Sequence, residues 1–389
     1  MQRVRIEERP GWRTLAEQLG FAFHTIDGET YWDESAYYRF TLRQVEDDIE
    51  DPTAELHAMA MAFVDEAVAS EELLTRLAIP EAYWDWVRAS WRDAEPHVYG
   101  RMDLAYDGNG PAKLYELNYD TPTSLYESAY FQWVWLEQGI HSGALPRDAD
   151  QYNRIQEALC EAFAALARAR RIAGTVHFAA MEDVPEDHAT ITYLRDCAHQ
   201  AGVDTAEVAI ERIGLSEDGW FTDTGDRVIR TLFKLYPLEF MMADAFGPAL
   251  AARRVQLIEP AWKAVLSNKA VLPLLWERHE GHPNLLPAHF ATPGQREVPM
   301  GWVRKPLFSR EGANITLRAP TGERMASDGP YDDGRAILQA YHPLPRFEGG
   351  YPLVGSWVVA DAAVGMGLRE DATRITRNTS RFVPHVILG

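Results

Sequence analysis

The chain has 389 residues, 46% of them hydrophobic, which is enough for a large core and for two or three lobes. Its 58 acidic and 38 basic residues give a formal charge of −20, which argues against nucleic acid as a partner, because phosphate backbones are met with basic surface. The same balance is compatible with a cationic substrate, although it serves solubility equally well. Only two cysteines occur, Cys160 and Cys197, and there is neither a signal peptide nor a long apolar run, so the expectation is a cytoplasmic protein without membrane insertion.

In chain order, residues 1–50 are mixed and rich in aromatic side chains. Asp51-Pro52 reads as the start of a helix, with Leu56, Met59, Phe63, Val64 and Val68 at helical spacing. A second helix follows in IPEAYWDWVRASW. The next stretch, YGRMDLAYDGNGPAKLYELNYD, alternates on either side of Asp107-Gly108-Asn109-Gly110, a strong hairpin signal. Folding about that turn brings Asp103 opposite Glu116. Arg101, Asp103, Glu116 and Asn118 then fall on one face, and Met102, Leu104, Tyr115 and Leu117 on the other. An apolar helix ends near Gly139, and a long amphipathic one is expected over 149–172. The strand TVHFAAM, the helix ATITYLRDCAHQAG and the strand AEVAI alternate as a small α/β lobe with parallel pairing. Beyond residue 300 the short strands VRKPLF, NITLRA, AILQAYH, LVGSWVVAD, AVGMGLRE and SRFVPHVI read as an antiparallel lobe. The fold class is α+β. Its approximate lobes are 1–148, helical with the hairpin; 149–260, α/β; and 261–389, antiparallel.

Several clusters carry chemistry. Asp103, Glu116 and Asn118 offer hard oxygen ligands suited to Mg²⁺, and the Arg101 fork beside them matches a phosphoryl group. A solvated strand face with cross-strand ion pairs fits the same spacing. Lys305 ends a strand before the loop Ser309-Arg310-Glu311-Gly312-Ala313, an arrangement suited to covering nucleotide phosphates; a basic surface hairpin is the blander reading. No Walker loop occurs. Residues 336–345 run from a strand into a proline-rich turn that can present backbone groups to a purine edge. The HEGH stretch at His279–His282 lacks zinc-ligand spacing, and both cysteines lie on amphipathic helices as core residues.

Together, GRMDLAY, KLYELNYDTPTSLYESA, FKLYPLE, VRKPLFSREGANI and GLRE resemble the glutathionylspermidine synthetase-type ATP-grasp family, and most of all its stand-alone acid–amine ligase branch. The resemblance runs over essentially the whole chain and does not include the amino-terminal amidase domain of bifunctional members. It implies an ATP-grasp fold, ATP and two Mg²⁺ ions as cofactors, and formation of an amide from a peptide acid and a polyamine through an acyl phosphate. By that resemblance Arg101 is catalytic and ATP-binding, and Asp103, Glu116 and Asn118 hold the metal. Lys269 and Lys305 are the ATP lysines, and Gly312 lies over the phosphates. Leu338, Gln339, Ala340 and Tyr341 form the adenine hinge, while Gly367, Leu368 and Arg369 form a further nucleotide strand. Ser124 approaches the acid, and Glu186 and Asp187 match an acidic pair that binds substrate. If the second substrate is a polyamine, carboxylates must hold its ammonium groups, and Glu186, Asp187, Glu370 and Asp371 are the candidates outside the metal set. Leu235 stands where the family carries threonine. A nucleotide-binding protein without turnover, or a small-molecule kinase, is the alternative.

Overall fold

A computed structural model describes residues 1–26, 28–331 and 334–389. The hairpin forms as Tyr99–Ala105 and Lys113–Asn118, with Arg101 opposite Asn118 and Asp103 opposite Glu116. The register slips after Asp103, so that Leu104 faces Leu114 and Tyr115 is the extra residue of a β-bulge. The bulge corrects one expectation. Leu114 and Leu117 enter the core with Met102 and Leu104, while Tyr115 turns to the polar side beside Glu116.

Long-range pairing then incorporates the hairpin into a larger sheet. Tyr351–Val359 pairs with Tyr99–Ala105, and Ala362–Asp371 and Arg381–Val383 follow, giving a five-stranded antiparallel sheet. A second five-stranded antiparallel sheet holds Ala288–Phe290, Ala336–Ala340, Trp302–Pro306, Thr316–Arg318 and Arg324–Ala326. The strands beyond residue 300 are thus divided among three sheets, since the last of them, His385–Ile387, lies parallel to Ala36–Phe40 in a sheet with Gln2–Arg5.

The α/β region is a four-stranded parallel sheet, in the order Gln256–Ile258, Thr231–Lys234, Val176–Ala180, Thr205–Ala209. Helices Ile155–Arg168 and Pro185–Gln200 pack with it. The first is shorter than its apolar pattern predicts, because Asp150 and Asn153 bridge to Ile387 and Gly365 instead of joining the helix. The first long helix also starts earlier than Asp51. Thr41 and Gln44 form a capping box, and a π-helical turn at Glu46–Glu50 leads into Asp51–Val68. Among the described residues no helix is long and apolar enough to cross a membrane.

Candidate functional site

Alternation along the first five-stranded sheet sends Met102, Leu104, Val354, Met366 and Leu368 into the core. Its other face presents Arg101, Asp103, Glu116, Asn118, Leu353 and Arg369 to a cavity of about 250 Å³. The second sheet supplies the opposite wall through Val303, Lys305, Leu317, Gln339 and Tyr341. Side chains clamp the edge strand across the gap: Lys305 Nζ donates to Tyr115 O at 3.0 Å, and Gln339 Nε2 to Leu114 O at 3.1 Å. The parallel sheet closes a third side with Leu235 and, from the first turn of its helix, Asp187.

The charges form one coupled set. Arg101 donates from Nε and Nη2 to the two oxygens of Asp103 at 2.7 and 3.1 Å, and from Nη1 to Thr123 O at 2.6 Å. Lys269 Nζ lies 3.1 Å from Glu116 Oε2. Burial pulls the Glu116 carboxyl upward, but the Lys269 and Lys305 ammoniums outweigh it and hold the group down at about 2. Asp103 moves the other way, above its usual range, because burial outweighs Arg101 and Glu116 adds like charge. Burial and the neighbouring Lys269 push Lys305 down to about 8. A polyanion entering between the lysines relieves both effects. Binding of a phosphate polyanion just above pH 8 is therefore expected to draw in part of a proton, read by titration calorimetry with triphosphate in buffers of different ionisation heat, and Lys305→Met is expected to remove that uptake. Without a polyanion, the depressed lysine costs stability at neutral pH, and the cost fades as pH rises from about 8 toward 10.5.

The loop after Lys305 folds over the cavity. Arg310 donates to Thr121 Oγ1 at 3.0 Å and to Glu239, and Lys269 donates to Ser309 O. Gly312 has φ +70°, and a Cβ there would lie 2.3 Å from Thr376 O, so both the conformation and the close approach require glycine. Below the loop, Asp120 accepts from Leu238 N at 2.8 Å and pairs with the fully buried Lys234, tying the segment after the hairpin to the parallel sheet.

Arg101, Asp103, Glu116, Asn118, Lys269, Lys305, Gly312, Gln339, Ala340, Tyr341, Arg369 and Asp187 all line this cavity. Ser124, held at φ +66°, and Gly367 line a small adjoining pocket. Leu368 points into the core on the reverse face of its strand, and Leu338 is buried but not part of the lining. Glu186 is not part of the lining. Glu370 and Asp371 require correction as amine ligands. Glu370 is fully buried, accepting from Arg3 Nε at 2.7 Å and from Tyr38 and Arg381, which sutures the amino-terminal strand to the sheet. Asp371 folds the loop after it, accepting from Thr373 N at 2.7 Å, Ser380 Oγ at 2.5 Å and Arg377 Nε at 3.2 Å. Both carboxylates are spent on structure. Arg310 and Glu311 line the cavity from the loop expected over the phosphates, though only Gly312 of that loop was given a role of its own. Tyr115, expected on the apolar face, lines the cavity because of the bulge.

No cluster of three or more His, Cys, Asp or Glu groups suited to a metal occurs among the described residues. Two carboxylates and one amide nonetheless fit Mg²⁺, which usually takes one or two carboxylates and completes its shell with phosphate oxygens and water. Asn118 supports the fit, since its side-chain nitrogen is buried without a partner and its amide is free to present oxygen by rotation.

The glutathionylspermidine synthase preATP-grasp family matches residues 3–388. A Haemophilus influenzae protein named provisionally as an acid–amine ligase is 41% identical over 97% of each chain. A Crithidia fasciculata trypanothione synthetase is 28% identical over 84% of this chain and 53% of its own length. The Escherichia coli bifunctional glutathionylspermidine synthetase/amidase is 25% identical over 97% of this chain and 63% of its own. The chain thus spans nearly the whole of the first relative and a little over half of the other two. A glutathione synthetase-like effector from Globodera pallida shares the mixed α/β fold, with a TM-score of 0.54 at 12% identity over 98% of each chain. With a match that runs through both five-stranded sheets and every residue of the cavity between them, the chain belongs to the glutathionylspermidine synthase preATP-grasp family.

Proposed function

We propose that the chain is an ATP-dependent carbon–nitrogen ligase of ATP-grasp type that joins a peptide carboxylate to a polyamine and releases ADP and phosphate. The observation that carries the reading is the cavity itself. Two lysines, an arginine fork and three oxygen-donor side chains converge between two sheets, under a glycine-hinged loop. A carboxylate is a poor electrophile, so its oxygen attacks the γ-phosphorus of ATP and ADP departs. The amine nitrogen then attacks the acyl carbon, and phosphate leaves with the bond to oxygen. Asp103, Glu116 and Asn118 would hold Mg²⁺, which when bound screens the phosphate charge. Lys269 and Lys305 bind the phosphates, Arg101 steadies the transferring phosphoryl group, and the 309–313 loop excludes water from the acyl phosphate.

Asp187 receives the ammonium. Burial, with Glu186 and Glu311 adding like charge, raises its carboxyl to about 7. Polyamine affinity is therefore expected to strengthen as pH rises through about 7 and the carboxylate ionises. Asp187→Asn is expected to raise the polyamine KM about tenfold, to flatten that pH dependence and to leave the ATP KM unchanged. The function is tested by a substrate screen: ADP release with pairs of peptides and polyamines, with mass spectrometry of the products. ADP release that requires the amine, with a new amide, is expected. Release that ignores the amine and yields a stable phosphorylated product would make the chain a kinase.

A further inference from the structure

The Asp120 carboxylate is buried, and each of its oxygens is held by a different element of the parallel-sheet region. Oδ1 pairs with Lys234, which is fully buried at the end of the strand Thr231–Lys234. Oδ2 accepts from Leu238 N at 2.8 Å. Leu238 opens the helix Leu238–Ala243, where Pro237 stands at the cap position and supplies no side-chain oxygen. The first turn of a helix leaves backbone N–H groups without a partner, and Asp120 satisfies this one from 118 residues away in the chain.

The residues beside those two anchor points meet again at Arg310. Its Nη1 donates to the hydroxyl of Thr121 at 3.0 Å, and its Nη2 to Glu239, the chain neighbour of Leu238. The contacts close a ring that runs Asp120, Thr121, Arg310, Glu239, Leu238 and back to Asp120. Asp120 thus fixes the separation of the two acceptors that hold the loop's arginine. It also acts at a distance: burial works against the Arg310 charge, but Glu239 and then Asp120 outweigh it and raise the guanidinium above its ordinary range. Within the loop, Ala313 N donates to Arg310 O at 2.8 Å, so the Ala313 amide reports on whether the loop is closed.

We propose that Asp120 is a positioning residue: it sets the gap between Thr121 and Glu239, and so the place where Arg310 closes the 309–313 loop over the cavity. Its part in catalysis rests on the ligase reading; its hold on the loop does not. The test is hydrogen exchange in the full chain without ligand. Asp120→Ala with Lys234→Met removes both members of the buried pair together, so that neither charge is left alone. The Ala313 amide is expected to exchange about tenfold faster, as for one lost hydrogen bond to a charged group, while the amides of the strand Val176–Ala180 hold. Asp120→Asn with Lys234→Met keeps an oxygen for Leu238 N and is expected to restore most of the protection. In an Arg310→Met background the alanine pair is expected to add nothing, a result that a general loss of stability does not give. Turnover supplies a second readout. When a loosened loop admits water, water takes the amine's place at the acyl carbon, phosphate leaves and the acid is regenerated, so ADP release is expected to outrun amide formation. An Ala313 exchange rate that stays at the parent value, or that rises equally in Val176–Ala180, overturns the positioning role. If the alanine pair does not fold, Asp120→Glu takes its place, since it keeps a charge for Lys234 and displaces the carboxylate by one methylene. The same local rise is expected of it, and the same outcomes overturn the proposal. A local rise in a chain that forms no amide from any acid–amine pair upholds the hold on the loop and removes the ligase reading. Amide formed one for one with ADP by a variant whose loop exchange is unmoved does the reverse.

Discussion

Glu116→Gln is expected to lower ATP turnover by roughly a thousandfold, the scale on which one preorganised charged group at a reacting centre counts. The substitution keeps the side-chain volume and removes one negative charge from the set that would hold the metal. It also strips Lys269 of a partner 3.1 Å away and leaves Lys305 with less to offset its burial. The stability consequence has a sign that can be checked. In the folded chain the Glu116 carboxyl sits at about 2 against an ordinary 4.5, so its ionised form contributes stability that is present above about pH 4.5 and lost as pH falls toward 2. The variant is expected to melt a few degrees lower at neutral pH, with the difference from the parent chain closing over that acid window. Turnover at the parent rate with limiting Mg²⁺ would remove Glu116 from the metal set.

Arg101→Lys is expected to lower kcat about a hundredfold while changing the ATP KM little, because a point charge replaces a planar fork. Arg101 makes two parallel bonds to Asp103 and a third to Thr123 O. One ammonium cannot reproduce all three and still face a transferring phosphoryl group. Lysine is the informative replacement; alanine would leave Asp103 as a buried carboxylate without its cation, at a cost of about 3–5 kcal/mol, and would confuse folding with chemistry. Single-turnover measurement of ADP formation separates the two. A normal rate of phosphoryl transfer with slowed amide release would move Arg101's role to the second half of the reaction.

Local chemistry made much of this site legible in the amino-acid order. The Asp107–Gly110 turn forms because Gly108 and Gly110 take positive φ at little cost, and alternation then places Asp103 opposite Glu116. The parallel sheet was legible for a similar reason, since each strand and its helix is a contiguous run with its own period. Identity at separated positions did the rest: Lys269, Lys305 and Gly312 were drawn into one site by resemblance, and the fold brings them to one cavity.

What the sequence by itself determined is therefore the set of elements and the chemistry each one carries. Only the tertiary structure decided which faces meet. The bulge that turns Tyr115 toward the cavity arises from pairing with a strand ten residues away, and the pairing of Tyr351–Val359 with the hairpin spans some 250 residues. No local period encodes either one, because the free energy of such contacts comes from burying a shared core and is realised only once distant strands close. The same reason explains Glu370 and Asp371. Their spacing on a polar strand end reads as ligand chemistry, but Arg3, at the far end of the chain, arrives to neutralise the first, and the loop that turns back through Ser380 closes on the second.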